Sequence, residues 1–306
     1  MNKSRKEDIN NKLQISLILV TMNRKEILKR CLESLRLQNF TNYEIIIVDN
    51  ASNDGTGNMV QRSFPEVRYF YISKNLGVPG GRNYGVRMSQ GEFCVFLDDD
   101  ALFADENAFN RVVSYFSSDS KLGCIGFRIV QPSDNCEEYK SIPRSDKKVI
   151  SADYECSYFC GAGFACRCDL FLDMGMFWDD LFFIGEELDF SYRLVNEGYK
   201  IIRSSAITVI HYETPQARMP GKLIYFGTRS RVLVAARNLP WINVFSHTLL
   251  WWGKCFVSAL RHRHLIYFIQ GVKDAIIDFP KAVRIRSCIT KKTVAKLKKL
   301  SGRIYY

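Results

Sequence analysis

The sequence has 306 residues, 47% of them hydrophobic and 13% aromatic, and a formal net charge of +11. This excludes a disordered or fibrous chain and leaves room for one large domain or two small ones. The charge is lopsided: Arg261 to Tyr306 carries twelve Lys/Arg against only Asp274 and Asp278, nearly the whole excess, so the end of the chain points to an anionic partner or surface.

Residues 1–13 mix charges of both signs and lead into no apolar run of signal-peptide type, so an N-terminal tail and a cytoplasmic location are expected. The run Gln14 to Val20 (QISLILV) is too short for a helix and reads as a buried strand. A turn, Thr21-Met22-Asn23-Arg24, precedes a helix with Ile27, Leu28, Cys31, Leu32 and Leu35 on one face. Glu44 to Val48 is a second strand ending at Asp49. Asn50 to Thr56 is dense in loop and capping residues, a short helix runs to about Phe64, and Val67 to Ile72 is a third strand. Asn75 to Asn83 is a glycine-rich loop opening a helix that ends near Gly91, and Glu92 to Leu97 is a fourth strand running into Asp98-Asp99-Asp100. Alternating strands and helices are the grammar of a mostly parallel α/β sheet with helices on both faces.

A helix near Asp105 to Phe116, a strand near Cys124 to Val130 and a polar loop from Gln131 to Lys148 follow. Strand-and-loop structure leads to Glu186-Glu187-Leu188-Asp189, which opens a helix that Gly198 ends, and Ile201 to His211 contains another strand. Beyond Pro215 the chain turns helical, aromatic and basic. Trp241 to Leu260, broken by Asn243, His247 and Lys254, is a poor membrane span and reads as an amphipathic helix on a bilayer or packed on the rest of the protein. The expected organisation is a tail over 1–13, a catalytic domain over 14–219, and a helical region over 220–306 serving a membrane surface or a homodimer face.

Parallel α/β sheets place ligands at the C-terminal ends of their strands, where Asp49 and the aspartate triplet fall. Adjacent carboxylates repel unless a cation neutralises them, and hard oxygen ligands favour Mg²⁺ or Mn²⁺, which grips a diphosphate. Glu186, Glu187 and Asp189 offer a general base for an acceptor hydroxyl, with Glu186 and Glu187 equivalent on chemistry alone. The competing reading of both clusters is an acidic helix start favoured by the helix dipole. Gly77 to Arg82 brings backbone N–H groups and an arginine toward a phosphate, and His211 is a candidate metal ligand. Of the ten cysteines, Cys156, Cys160, Cys166 and Cys168 cluster. They lack a Cys-x-x-Cys pair, which favours reduced thiols over a zinc site.

In these stretches the chain resembles the family-2 glycosyltransferases of GT-A fold, in the style of bacterial rhamnosyl- and galactofuranosyl-type members. The matching runs are Ser16 to Arg24, Ile47 to Thr56, Asn75 to Gly77 with Gly80 to Gly85, Gly91-Glu92, Phe96 to Asp100, and Phe182 to Arg193, in order and spacing over about residues 14 to 215. The resemblance implies that Asp49 reads the nucleobase, with Thr21 and Asn23 beside the nucleoside. It places Asn75, Gly77, Gly80, Arg82, Asp98 and Asp99 in the donor pocket and Asp98 and Asp100 in the Asp-x-Asp element, the last on the metal. The family's base, usually the Asp of a Glu-Asp pair, falls on Glu187, one methylene longer, and Asp189 matches a further acidic position. The implied activity is inverting transfer from a UDP- or dTDP-sugar to a saccharide or lipid-linked acceptor with Mg²⁺ or Mn²⁺, at the inner face of the cell membrane. This suits cell-envelope polysaccharide biosynthesis.

Two other classes compete. A sugar-phosphate nucleotidyltransferase requires a glycine-rich, arginine-containing loop right after the first strand, where Thr21-Met22-Asn23-Arg24 stands instead. A catalytically inactive sugar-nucleotide binder has no need of Asp98, Asp100, Glu187 and Asp189 together. The basic tail permits nucleic acid, but the interleaved aromatics in Trp251-Trp252-Gly253-Lys254 suit lipid headgroups better.

Overall fold

A computed structural model describes residues 13–213 and 219–304. The tail expected over 1–13, Leu13 apart, and the change of character at Pro215 lie outside the described residues. Strands β1 (Ile15–Thr21), β2 (Tyr43–Asn50), β3 (Arg68–Ile72) and β4 (Phe93–Asp98) pair in parallel in the order β3-β2-β1-β4. Alternation along each strand divides the core. Ile15, Leu17 and Leu19 of β1 face one side, with helices α1 (Lys25–Leu35), α2 (Thr56–Ser63) and, further along, α4 (Ala108–Ser118). Ile18 faces the other, with helix α3 (Gly77–Met88) and α6 (Glu186–Asn196).

Past β4 the sheet departs from the mostly parallel expectation. β8 (Gly163–Arg167) runs antiparallel to β4, β6 (Leu122–Val130) runs antiparallel to β8, and β9 (Lys200–His211) returns parallel to β6. Two short strands, β5 (Ala101–Phe103) and β7 (Tyr154–Glu155), pair antiparallel with β9. Pairings are thus half parallel and half antiparallel, because direction is chosen by partners distant in sequence. β5, β7 and helix α5 (Cys168–Asp173) escaped the sequence reading because two to six residues show no periodicity. The expected glycine-rich loop is also largely helix, since α3 starts at Gly77. Its glycines serve close approach: a Cβ on Gly85 would lie 2.5 Å from Ile18 Cγ2 of β1.

The thiol expectation needs correction at one position. Cys168, at the start of α5, forms a disulfide with Cys94 of β4. The two are 74 residues apart and meet because β8 pairs with β4, a proximity no spacing rule reveals. Among the described residues, the side-chain groups able to hold a metal contain no cysteine.

Helices α7 (Pro220–Asn238), α8 (Trp241–His262), α9 (Leu265–Arg284) and α10 (Lys291–Lys299) form a layer against the α6 side of the sheet. Leu233 to Ala236 of α7, Leu297 of α10 and Ile304 join the same core as Phe96 and Phe164, whose stacked rings lie 4.4 Å apart. Burial of each of the larger of these side chains stabilises the fold by roughly 1.5–3 kcal/mol. Part of the basic tail therefore works inside the protein: Arg286 donates to the carbonyls of Ala236 and Leu239 at the end of α7, and Lys296 pairs with Glu155 at 2.7 Å. The outer sides of α8 and α9 remain apolar and exposed, with Trp241, Phe245, Leu249, Ile266 and Ile276 among the exposed side chains. No helix among the described residues is long and apolar enough to cross a membrane.

Candidate functional site

The C-terminal ends of β1 and β4 and the start of α6 open onto one cavity of about 540 Å³. Both acidic stretches line it, as do Thr21, Asn75, Gly77, Arg82 and His211. The neighbouring turns bring them together. Gly77, at φ +72, sits so close to the Phe182 carbonyl that a side chain there would collide with it, and the Val78 N–H donates to that carbonyl at 2.8 Å. The start of α3 is thereby clamped against the loop that delivers Glu186 and Glu187.

The aspartate triplet divides its work. Asp99 is buried and accepts hydrogen bonds from the Thr21 hydroxyl (2.7 Å) and the Arg24 guanidinium (2.6 Å). Burial lifts its pKa to about 6, with Arg24 pulling it down and Asp100 pushing it further up. Asp100 is also buried and meets Arg24 at 3.1 Å and His211 Nε2 at 3.2 Å. Asp98 faces the cavity with 36% of its side chain exposed and accepts from Arg82 at 2.9 Å. His211 spans Asp100 and Glu138, its Nδ1 lying 3.1 Å from the latter. Burial disfavours the charged imidazole, but hydrogen bonds to Asp100 and Glu138 outweigh it and lift the pKa to about 10. Asp98, Asp100 and His211 each offer one ligand atom, all within 4.8 Å of one another, and Glu138, His211 and Glu213 form a second such group.

The two adjacent glutamates differ. Glu186 is 1% exposed and has Arg82 at 3.5 Å. Burial and the neighbouring Glu187 charge hold its carboxyl well above the usual range against the pull of Arg82. Glu187 is half-buried on the cavity side, and a side chain at Gly161 would strike its carboxylate. Arg82 joins the two walls, donating to Asp98 and, at 2.7 Å, to the Gly161 carbonyl.

Four expected site residues do not line the cavity. Asp189 is fully buried, bound by Arg193 at 2.9 Å, Arg237 at 2.8 Å and Asn238 at 2.8 Å, and so joins α6 to α7. Asp49 is also fully buried and accepts from Tyr69 Oη at 2.6 Å and the Ser52 N–H at 2.8 Å. Asn23 turns away to accept from the Asn53 N–H at 2.8 Å, and Gly80 packs on Leu76. Conversely, Arg24, Glu138, Lys222, Arg231 and Arg303 line the cavity although the sequence did not mark them as site residues. Arg24 adjoins the Thr21–Asn23 turn, which was a usable signal. The others arrive from distant loops and helices and carry none.

Residues 16–175 match the family described as Glycosyl transferase family 2. A Campylobacter jejuni GalNAc(5)-diNAcBac-PP-undecaprenol beta-1,3-glucosyltransferase is 36% identical over 92 residues, 28% of this chain and 29% of that protein. The Staphylococcus aureus poly(ribitol-phosphate) beta-N-acetylglucosaminyltransferase TarP is 38% identical over 109 residues, 33% of this chain and 32% of its own. The chain thus spans about a third of either relative's length. The crystal structure of GalNAc-T7 with UDP, GalNAc and Mn²⁺ superposes with TM-score 0.64 at 16% identity, covering 89% of this chain and 58% of that one, which establishes a shared GT-A fold.

Proposed function

The chain belongs to glycosyl transferase family 2, and from that premise we propose that it transfers a sugar, with inversion, from a UDP- or dTDP-sugar to a hydroxyl of a saccharide or lipid-linked acceptor. The observation that carries this reading is the meeting of the aspartate triplet and Glu187 in one cavity, from stretches nearly ninety positions apart.

Asp98, Asp100 and His211 fit a divalent ion. Two carboxylates and an imidazole suit Mn²⁺ or Mg²⁺, with the ion taking the place of the imidazole's extra proton, and Arg24 on Asp100 and Arg82 on Asp98 leave part of the negative charge for it. A bound ion would neutralise charge on the departing nucleoside diphosphate. Arg24 and Thr21 keep Asp99 as a rigid prop behind that group, and Arg82 holds Asp98 toward the cavity. Glu187, free of the arginine that engages Glu186, takes the acceptor hydroxyl proton onto its carboxylate. The acceptor oxygen bonds to the anomeric carbon as the bond from that carbon to the β-phosphate oxygen breaks, and the electron pair leaves with the diphosphate. Inversion follows from a single displacement. On this reading residues 14–219 are the catalytic domain and 220–306 a helical region that completes and docks it.

The deciding experiment is a panel of nucleotide-sugars with Mn²⁺ or Mg²⁺, reading nucleoside diphosphate released in the presence of acceptor. The panel includes UDP-GlcNAc, UDP-glucose, UDP-galactofuranose and dTDP-rhamnose, so that it also tests the narrower rhamnosyl or galactofuranosyl likeness. Nucleotide binding without release from any donor would make the protein an inactive sugar-nucleotide binder.

We also propose that the outer side of α8 and α9 rests on an anionic bilayer, because its exposed aromatic and aliphatic side chains adjoin the cations of residues 261–286. Phe245→Ser with Leu249→Ser should abolish cosedimentation with phosphatidylglycerol vesicles. Unchanged pelleting defeats the idea, and loss of a dimer in sedimentation equilibrium instead assigns the face to a homodimer. Deleting residues from 261 onward is a poor test, since it strips Leu297 and Ile304 from the core.

A further inference from the structure

The cavity has a second wall whose chemistry the transfer step leaves unused. Arg231 of α7 and Arg303, in the segment after α10, both line it. Two of the four arginines that line the cavity, Arg24 and Arg82, have carboxylate partners. Among the described residues, no carboxylate forms an ion pair with Arg231 or Arg303. Their guanidinium carbons sit over aromatic rings instead, Arg303 at 4.7 Å from the Tyr158 centroid and Arg231 at 4.8 Å from that of Trp251. The Arg231 Nε is buried and has no hydrogen-bond partner.

More positive charge stands behind this pair. Lys254 Nζ lies 4.8 Å from the centroid of the same Trp251 ring, and Lys147 donates to the carbonyls of Lys140 and Ile142. Burial and the nearby charges of Arg303, Lys254 and Arg231 depress the Lys147 pKa to about 8. Like charges held together, as in Arg231 and Arg303, repel one another, and a fold maintains them at the cost of stability. Here the assembly is actively held: the Tyr192 hydroxyl donates to the Arg303 carbonyl at 2.6 Å, the Gly302 N–H donates to the Leu297 carbonyl at 2.8 Å, and Ile304 is fully buried. An anionic ligand would relieve the repulsion.

We propose that Arg231 and Arg303 form a subsite for a phosphate group carried by the acceptor. This rests on the transferase reading above. The donor diphosphate belongs by charge to the place where Asp98, Asp100 and His211 fit a divalent ion. Arg231 instead feels the charge of Glu187, the group that faces the attacking hydroxyl, so an anion bound there sits on the molecule that carries that hydroxyl. The matching ligand class is a sugar or polyol bearing a phosphate monoester, phosphodiester or lipid-linked diphosphate.

The test fills the donor site first, with UDP and Mg²⁺, and then titrates glycerol 3-phosphate by calorimetry. A second saturable event is expected, weakened about tenfold or more in Arg303→Gln and in Arg231→Gln, partly restored in Arg303→Lys, and with UDP affinity preserved throughout. In turnover assays a detergent-solubilised lipid-diphosphate sugar is set against a water-soluble polyol-phosphate oligomer. Arg303→Gln should raise KM for whichever is used, by about tenfold, more than it lowers kcat. Absence of the second event, its survival in both Gln variants, or a loss of UDP affinity in its place overturns the subsite alone. Failure of UDP and dTDP alike to bind overturns the transferase reading and the subsite with it.

Discussion

In β1 to β4 the apolar side chains are used on both faces of the sheet, whereas α8 and α9 bury one side and leave Trp241, Phe245, Leu249 and Ile276 to solvent. The polar groups of the two regions contrast in the same sense. At the strand ends the carboxylates of Asp99 and Asp100 are each matched by Arg24, Thr21 or His211, while the helical layer brings to the cavity two arginines that form no ion pair among the described residues. A two-sided core locks a charged site into one arrangement. A one-sided layer leaves surface and charge that call for something outside the chain.

The contrast can be broken first at the base. Glu187→Gln should lower turnover by roughly 10²–10⁴-fold while nucleotide affinity holds, read as diphosphate release against calorimetric UDP binding. Full activity in that variant would move the base to Glu186. Next, Asp189→Asn tests whether this residue joins the regions or serves chemistry. Leaving Arg193 and Arg237 buried without their carboxylate should cost about 3–5 kcal/mol in denaturant unfolding, with the folded fraction still active. A stable but inactive protein would return Asp189 to the site. Asp100→Asn should weaken metal-dependent UDP binding by about tenfold or more, and equal UDP affinity with and without Mg²⁺ or Mn²⁺ in the unaltered protein would remove the ion from the proposal.

The smallest effect sharpens the helical side. His247 is buried, and burial, with Arg231 and Arg303 nearby, lowers its pKa to about 4 from 6.5. A depressed histidine pKa means the unfolded chain binds the extra proton. Its contribution is therefore complete above pH 6.5 and lost progressively as pH falls toward 4. Between pH 7.5 and 5.5 this group should account for about 1 kcal/mol of lost stability, and His247→Phe should flatten that part of the profile. An unchanged profile would show that the histidine is already solvated.

Much of this was legible along the chain. The first four strands, the helix after Thr21–Arg24, the aspartate triplet at a strand end and the acidic helix start at Glu186 all announce themselves through short-range apolar periodicity and local composition. Glu187 was placed by its family position, but its separation from Glu186 was not visible, because two adjacent glutamates differ only in what surrounds them: Arg82 and burial for one, open cavity for the other. Asp49 and Asp189 looked like site residues for a related reason. An acid at a strand end or helix start reads the same whether it meets a ligand or, as here, a tyrosine or a pair of arginines.

The amino-acid order by itself determined the α/β grammar, the two acidic stretches and the basic, aromatic end of the chain, since these depend on neighbours within a few residues. Only the tertiary structure decided the antiparallel run through β8 and β6, the Cys94–Cys168 bond, the withdrawal of Asp189 from the cavity and the arrival of Arg231 and Arg303 in it. Each of these turns on partners tens to more than a hundred positions apart. Local propensity carries no record of such partners, and burial and charge pairing choose them only when the whole core closes.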